Sequence, residues 1–122
     1  MLLVLALVLV VAGCGGTAAA GNQPPASLDP NSPKLAAQAI AFDTAVLTVP
    51  ANRPFTLAFE NRENVPHNVS IYADSARQDR RFEGMVFSGP ATQWYPVPAL
   101  AAGTYTFVCD VHPSMTGRLV AS

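Results

Sequence analysis

A strand that runs directly into a donor-rich loop is encoded by GTYTFVCDVHPSM, residues 103–115. Within Tyr105–Cys109 every second side chain is apolar or a thiol, an alternation that predicts a half-buried strand delivering Cys109 to the core at its end. The loop that follows adds the imidazole of His112 and the thioether of Met115, so three ligand-forming side chains fall within seven residues. This stretch therefore predicts a strand that ends in a cluster of potential metal ligands.

The same alternation recurs upstream of this stretch. In Phe55–Glu60 the large apolar side chains alternate with Thr, Ala and Glu, and Val69 and Ile71 continue the parity of His67. Turn signals rich in Pro, Gly and Asn separate such segments, and many short strands at this spacing predict an all-β sandwich or barrel. Further strands are expected at residues 36–42, 46–49, 92–97 and 116–121.

The segment DSARQDRRFE, residues 74–83, lacks this alternation. It is predicted to form a loop or one or two helical turns capped by Asp74. Its arginines would suit an acidic redox partner, but the acidic residues between them favour a solvated surface segment. The charged residues concerned are Arg77, Arg80 and Arg81, balanced by Asp74, Asp79 and Glu83.

The donor set favours copper. Thiolate, imidazole and thioether are soft or intermediate ligands that suit copper, whereas calcium and magnesium require oxygen ligands. His67 is the only histidine besides His112, so it is the candidate for the second imidazole. Zinc is the alternative ion for Cys109 with two histidines, but a tetrahedral zinc site would leave Met115 unused, and copper binds such sites more tightly than zinc.

Two other uses of the same side chains are conceivable. Cys109 activated by His112 would be a nucleophile, but no orienting third group or oxyanion hole can be named, so we expect no enzyme activity. Copper storage or delivery would use the same donors as electron transfer. Such proteins more often carry Met-rich or His-rich tracts, whereas this chain has three methionines and two histidines.

From Ile40 to its C-terminus the chain resembles the cupredoxins, the type 1 blue copper proteins. The segments Pro66–Val69 and Tyr105–Cys109, followed by the Cys-x-x-His-x-x-Met spacing, carry this resemblance. It implies a Greek-key antiparallel β-sandwich with one copper ion at one end and electron transfer as the function. It further implies that His67, Cys109 and His112 form a trigonal plane, that Met115 is the weak axial ligand, and that Asn68 ties the two ligand loops together.

The N-terminus has the character of an export signal. Residues 2–12 are uninterruptedly apolar, too few for a membrane span but typical of a signal peptide. The following Val11-Ala12-Gly13-Cys14 resembles the lipobox of bacterial lipoproteins, which implies cleavage after residue 13 and acylation of Cys14. No Lys or Arg precedes the apolar run, and an ordinary signal peptide with an incidental cysteine is the alternative.

Residues 14–33, rich in Gly, Ala, Ser, Asn and Pro, are then a flexible linker, and residues 34–122 the copper-binding domain. The expected location is the outer face of a bacterial membrane, with the lipid as the only membrane contact. A net charge of −1 gives no basis for nucleic-acid binding. The expected partners are redox proteins, and the expected state is a monomer.

Overall fold

The computed structural model describes residues 23–122, where all regular secondary structure is β-strand. No helix formed by these residues has the length and apolar character needed to span a bilayer. The strands are β1 (Lys34–Gln38), β2 (Ala41–Phe42), β3 (Val46–Val49), β4 (Phe55–Asn61), β5 (Pro66–His67), β6 (Ser70–Tyr72), β7 (Arg80–Glu83), β8 (Phe87–Ser88), β9 (Ala91–Val97), β10 (Gly103–Val108) and β11 (Thr116–Ala121).

The strands form two main sheets and one small ribbon. The first sheet has the order β2-β1-β4-β9, the second has the order β3-β11-β10-β6-β7, and β5 pairs with β8. The predicted all-β sandwich is confirmed, but β1 pairs with β4 and β3 pairs with β11 in parallel. Parallel neighbours need a long crossover connection. Residues 39–54 provide the connection from β1 to β4, and they pass through β3 in the opposite sheet.

The core lies between the two main sheets and is centred on aromatic rings. Phe42 of the first sheet and Phe107 of the second lie with ring centroids 5.2 Å apart, and Phe59 packs against Phe42 at 6.1 Å. Phe59 and Phe107 are fully buried, as the alternation of their strands predicts, and each contributes roughly 1.5–3 kcal/mol by burial. Gly117 lies opposite Phe107 in the sheet, where a Cβ atom would overlap the Phe107 ring.

Several predicted strand boundaries are confirmed and others are wrong. The strands at 46–49 and 116–121 have the predicted limits. The strand expected at 36–42 is interrupted because Ala39 and Ile40 adopt left-handed backbone angles and turn the chain between β1 and β2. The prediction of a loop or helical turns for 74–83 missed β7. This strand lies at the edge of its sheet, so its exposed residues are polar and only Phe82 is partly buried.

Part of the predicted linker lies within the described region. Residues 23–33 contain turns, and there Leu28 is half-buried and Ser32 is buried. The signal peptide and Cys14 fall outside the described residues. The boundaries 14–33 and 34–122 therefore stay predictions.

Candidate metal site

Three predicted ligands meet at one end of the sandwich. His67 lies in β5, Cys109 directly follows β10, and His112 lies in the loop between β10 and β11. Their ligand atoms all lie within 4.8 Å of one another. His67 and Cys109 are fully buried, whereas His112 is half-buried.

The separations fit a shared metal ion. The Cys109 Sγ atom lies 3.7 Å from Nδ1 of His67 and 3.9 Å from Nδ1 of His112. Nitrogen and sulfur ligands about 2.0 and 2.3 Å from one ion would be about 3.7 Å apart in a trigonal plane and about 3.5 Å apart in a tetrahedron. The cluster thus brings soft and intermediate donors within reach of a single ion, and this is the donor set that copper prefers.

Met115 lies at the base of the same loop. The Cys109 amide donates to the Met115 carbonyl at 3.0 Å, and the Met115 amide donates to the His112 carbonyl at 2.8 Å. The residue is only 3% exposed. These bonds close the loop and hold the main chain of Met115 next to Cys109 and His112.

The buried imidazole of His67 is held by a carboxylate that the sequence analysis did not single out. Nε2 of His67 lies 2.7 Å from Oε1 of Glu63. Because an ionised carboxylate only accepts hydrogen bonds, this contact places the ring proton on Nε2 and leaves Nδ1 free to bind a metal. Glu63 therefore selects the tautomer that the site needs.

Glu63 is itself fixed by the turn between β1 and β2. The amides of Ala39 and Ile40 donate to its two carboxylate oxygens at 3.1 and 3.0 Å. Consecutive left-handed residues, with φ of 53° and 54°, direct neighbouring amides to the same side, an arrangement that binds anions. The Ile40 amide first, and then the His67 ring, lower the pKa of Glu63. The carboxylate thus stays charged beside the site.

A second carboxylate, Asp110, joins the two ligand loops from the other side. The Asp110 amide donates to Oδ1 of Asn68 at 2.9 Å, and Nδ2 of Asn68 donates to Asp110 at 2.8 Å and to the Gly84 carbonyl at 3.0 Å. Asn68 follows His67 and Asp110 follows Cys109 in the chain. This reciprocal pair therefore sets the distance between the two ligand strands.

Asp110 also accepts hydrogen bonds from the hydroxyls of Ser70 at 2.5 Å and Tyr72 at 3.1 Å. Burial alone would raise the pKa of Asp110, but hydrogen bonds from Ser70, Asn68 and Tyr72 together lower it. Burial, followed by the Asp110 charge, raises the pKa of Tyr72. The alternation in the sequence predicted that Val69 and Ile71 face inward. The polar residues Asn68 and Ser70 that alternate with them are buried as well.

Exposed apolar side chains surround this end of the molecule. Ile40 adjoins Glu63, Met85 and Val86 precede the strand paired with His67, and Val111 lies in the ligand loop. They are between 40% and 52% exposed. Exposed apolar side chains that group near a functional site are typical of interaction surfaces. We call these four residues the apolar rim.

Comparison with known proteins identifies a family for the chain. A family model described as a cupredoxin-like domain matches residues 3–121. No curated protein matches the chain.

Solved structures share the fold at low sequence identity. Amicyanin from Paracoccus versutus is 21% identical with a TM-score of 0.60, covering 84% of this chain and 93% of its own. Auracyanin from Roseiflexus castenholzii is 19% identical with a TM-score of 0.63, covering 73% and 94%. Auracyanin A, a "blue" copper protein from Chloroflexus aurantiacus, is 24% identical with a TM-score of 0.63, covering 73% and 96%. At these identities the likeness shows the fold.

Proposed function

The chain belongs to the cupredoxin-like family, and from that premise we propose that it transfers single electrons through one copper ion held by His67, Cys109, His112 and Met115. The observation that carries the proposal is the placement of Cys109 Sγ within 3.7 and 3.9 Å of two imidazole Nδ1 atoms in a largely buried site. When bound, copper would supply a one-electron couple between Cu(I) and Cu(II). The protein supplies the ligands and holds their positions.

Fixed ligand positions favour electron transfer over a catalytic role. Glu63 holds the ring of His67, and the Asn68–Asp110 pair holds the two ligand strands together. A site whose ligands keep their positions when the ion changes oxidation state needs little reorganisation energy for each electron transferred. Cys109 is fully buried, so it is not accessible to a substrate as a nucleophile would have to be.

The partner is proposed to be another redox protein that docks on the apolar rim. His112 is the more exposed of the two imidazoles and lies in the same loop as Val111 of the rim. An electron would therefore leave through His112 over the shortest path to a docked partner. The net charge of −1 gives little long-range electrostatic attraction, which makes apolar contact the main source of docking affinity.

The decisive experiment is an optical spectrum of residues 34–122 after copper addition. Cys109→Ser is expected to abolish the intense thiolate-to-copper absorption, because the thiolate supplies that transition. Met115→Leu is the matched control and should keep the colour, because an axial thioether only tunes the site. A Cys109→Ser variant that stays blue would contradict the proposal. A wild-type protein that holds only colourless Cu(I) and loses it to a chelator would instead support copper delivery.

Export and anchoring through Cys14 complete the proposal. The apolar run 2–12 and the sequence Val11–Cys14 support it. Acyl chains contribute about 0.8 kcal/mol per buried CH2, so Cys14→Ser is expected to move the exported protein from the membrane to the soluble fraction. Retention of that variant in washed membranes would exclude the lipid anchor.

A further inference from the structure

The polar segment before β7 contacts the ligand loop. Nη2 of Arg77 donates a hydrogen bond to the carbonyl oxygen of Pro113 at 2.8 Å, across 36 residues of sequence. Pro113 lies between His112 and Met115. Because proline has no amide proton, this carbonyl is its only main-chain hydrogen-bonding group. Arg77 therefore binds the loop 109–115, called here the ligand loop, at the peptide that joins Pro113 to Ser114.

A compact turn presents Arg77 to the loop. The Asp74 carboxylate accepts hydrogen bonds from the amides of Gln78 at 3.3 Å and Asp79 at 2.9 Å, and the Arg77 amide donates to the Asp74 carbonyl at 3.3 Å. These amides, that of Asp79 most strongly, lower the pKa of Asp74. Arg77 itself has a left-handed backbone with φ of 59°, which is uncommon for a side chain of this size. The turn thus fixes the direction from which the guanidinium approaches.

The other arginines of this segment pair with acidic neighbours, and Arg80 also interacts with Tyr72 and Asp110. Arg80 pairs with Glu83 at 3.0 Å, and Arg81 pairs with Asp79 at 2.6 Å. Both are exposed, whereas Arg77 is half-buried. Arg77 is thus distinguished from its neighbours by a hydrogen bond to the main chain of the ligand loop.

The ligand loop has few internal restraints near its tip. Its main-chain bonds among described residues are at the base, from Cys109 to Met115 and from Met115 to His112. Asp110, Val111, Pro113 and Ser114 are exposed. A charged donor on the Pro113 carbonyl therefore restrains the part of the loop that carries His112.

We infer that Arg77 is a positioning residue that clamps the ligand loop and keeps His112 beside His67 and Cys109. This inference rests on the proposed function, since it concerns the same ligand. The clamp opposes displacement of the loop, which is the movement needed to release both His112 and the ion. It also gives the polar segment a role beyond solvation.

The test compares Arg77→Asn with the wild type in two measurements. Asn tolerates the left-handed backbone while removing the guanidinium. In the copper-free protein, hydrogen exchange of the Met115 amide should become about tenfold faster, because a hydrogen bond from a charged donor is lost. In the copper-loaded protein, transfer of Cu(I) to bicinchoninate should accelerate by about the same factor. Arg77→Lys, which keeps the charge on a shorter and non-planar donor, should give intermediate rates.

Arg81→Asn is the matched control because it removes a positive charge from the same segment without touching the ligand loop. It should leave both rates at the wild-type values. Asp74→Ala, which removes the acceptor that shapes the turn, should reproduce the effect of Arg77→Asn. Unchanged rates in Arg77→Asn, or equal changes in Arg81→Asn, would overturn the clamp. The copper-free exchange measurement still tests the clamp if wild-type protein fails to form the blue site.

Discussion

Two carboxylates flank the metal site, and they act on different parts of it. Glu63 contacts the ring of His67, a proposed ligand, and is held by two amides of a tight turn. Asp110 contacts no ligand side chain and instead binds the Asn68, Ser70 and Tyr72 side chains. The difference separates two tasks: Glu63 fixes the tautomer and orientation of the His67 ring, whereas Asp110 holds together the strands that carry the proposed ligands.

The largest expected effect follows from removing Asp110. In Asp110→Ala the buried polar groups of Asn68, Ser70 and Tyr72 lose their common acceptor, and such losses cost about 1–3 kcal/mol. We expect the free energy of unfolding of the copper-free protein to fall by about 2 kcal/mol at pH 7. Urea denaturation measures it. Asp110→Asn keeps one acceptor oxygen and should lose less; equal stability of Asp110→Ala and wild type would refute the assigned role.

A smaller effect, of a different kind, is expected for Glu63→Gln. The negative charge beside His67 favours Cu(II) over Cu(I), so its removal should raise the reduction potential. Loss of the hydrogen-bond partner of a metal ligand changes metal affinity by at least tenfold. A tenfold change in the preference for one oxidation state corresponds to a shift of about 59 mV in the reduction potential. Protein-film voltammetry gives the value. Asp110→Asn is the control, because it removes the same charge without touching a ligand ring; an equal shift in both variants would mean that the Glu63–His67 contact has no special role.

The smallest expected effect is on the pH dependence of the free energy of unfolding. The pKa values of Glu63 and Asp110 are both lowered from their ordinary values of 4.5 and 3.8. A group whose pKa is lower in the folded state stabilises the fold above its unfolded pKa, and that contribution is lost as the pH falls towards the folded-state value. Unfolding free energies of copper-free protein between pH 6 and pH 2.5 should therefore fall less steeply in Glu63→Gln and Asp110→Asn. Parallel profiles for both variants and the wild type would contradict this linkage.

The sequence was sufficient to predict that Cys109 and His112 lie together with His67, because the first two are close in the chain. Cys109 and His112 are held together by one short loop, and the parity of His67 placed it at the inner face of a strand. The alternation of apolar residues likewise predicted the core strands around Phe59 and Phe107. Local spacing and parity are physical constraints that a sequence displays directly.

The contacts that support the ligands were not predictable in the same way. Glu63 was not predicted as part of the site, because its role depends on the amides of Ala39 and Ile40, 24 and 23 residues away. Alternation failed on β6, where Ser70 and Tyr72 are buried opposite the apolar face because Asp110 satisfies their hydroxyls. Partners brought together by tertiary folding leave no periodic trace in the chain.

The turn at Ala39–Ile40 would join partner docking to redox tuning in a single residue. The Ile40 side chain is 48% exposed in the apolar rim, while its amide holds the carboxylate bound to His67. If a partner docks on the rim as proposed, pressure on that side chain is transmitted through one peptide group and one carboxylate to a metal ligand. Docking of the partner would then change the reduction potential of the site. Substitutions at Ile40 that retain the backbone angles would change docking through the side chain while preserving the amide contact to Glu63.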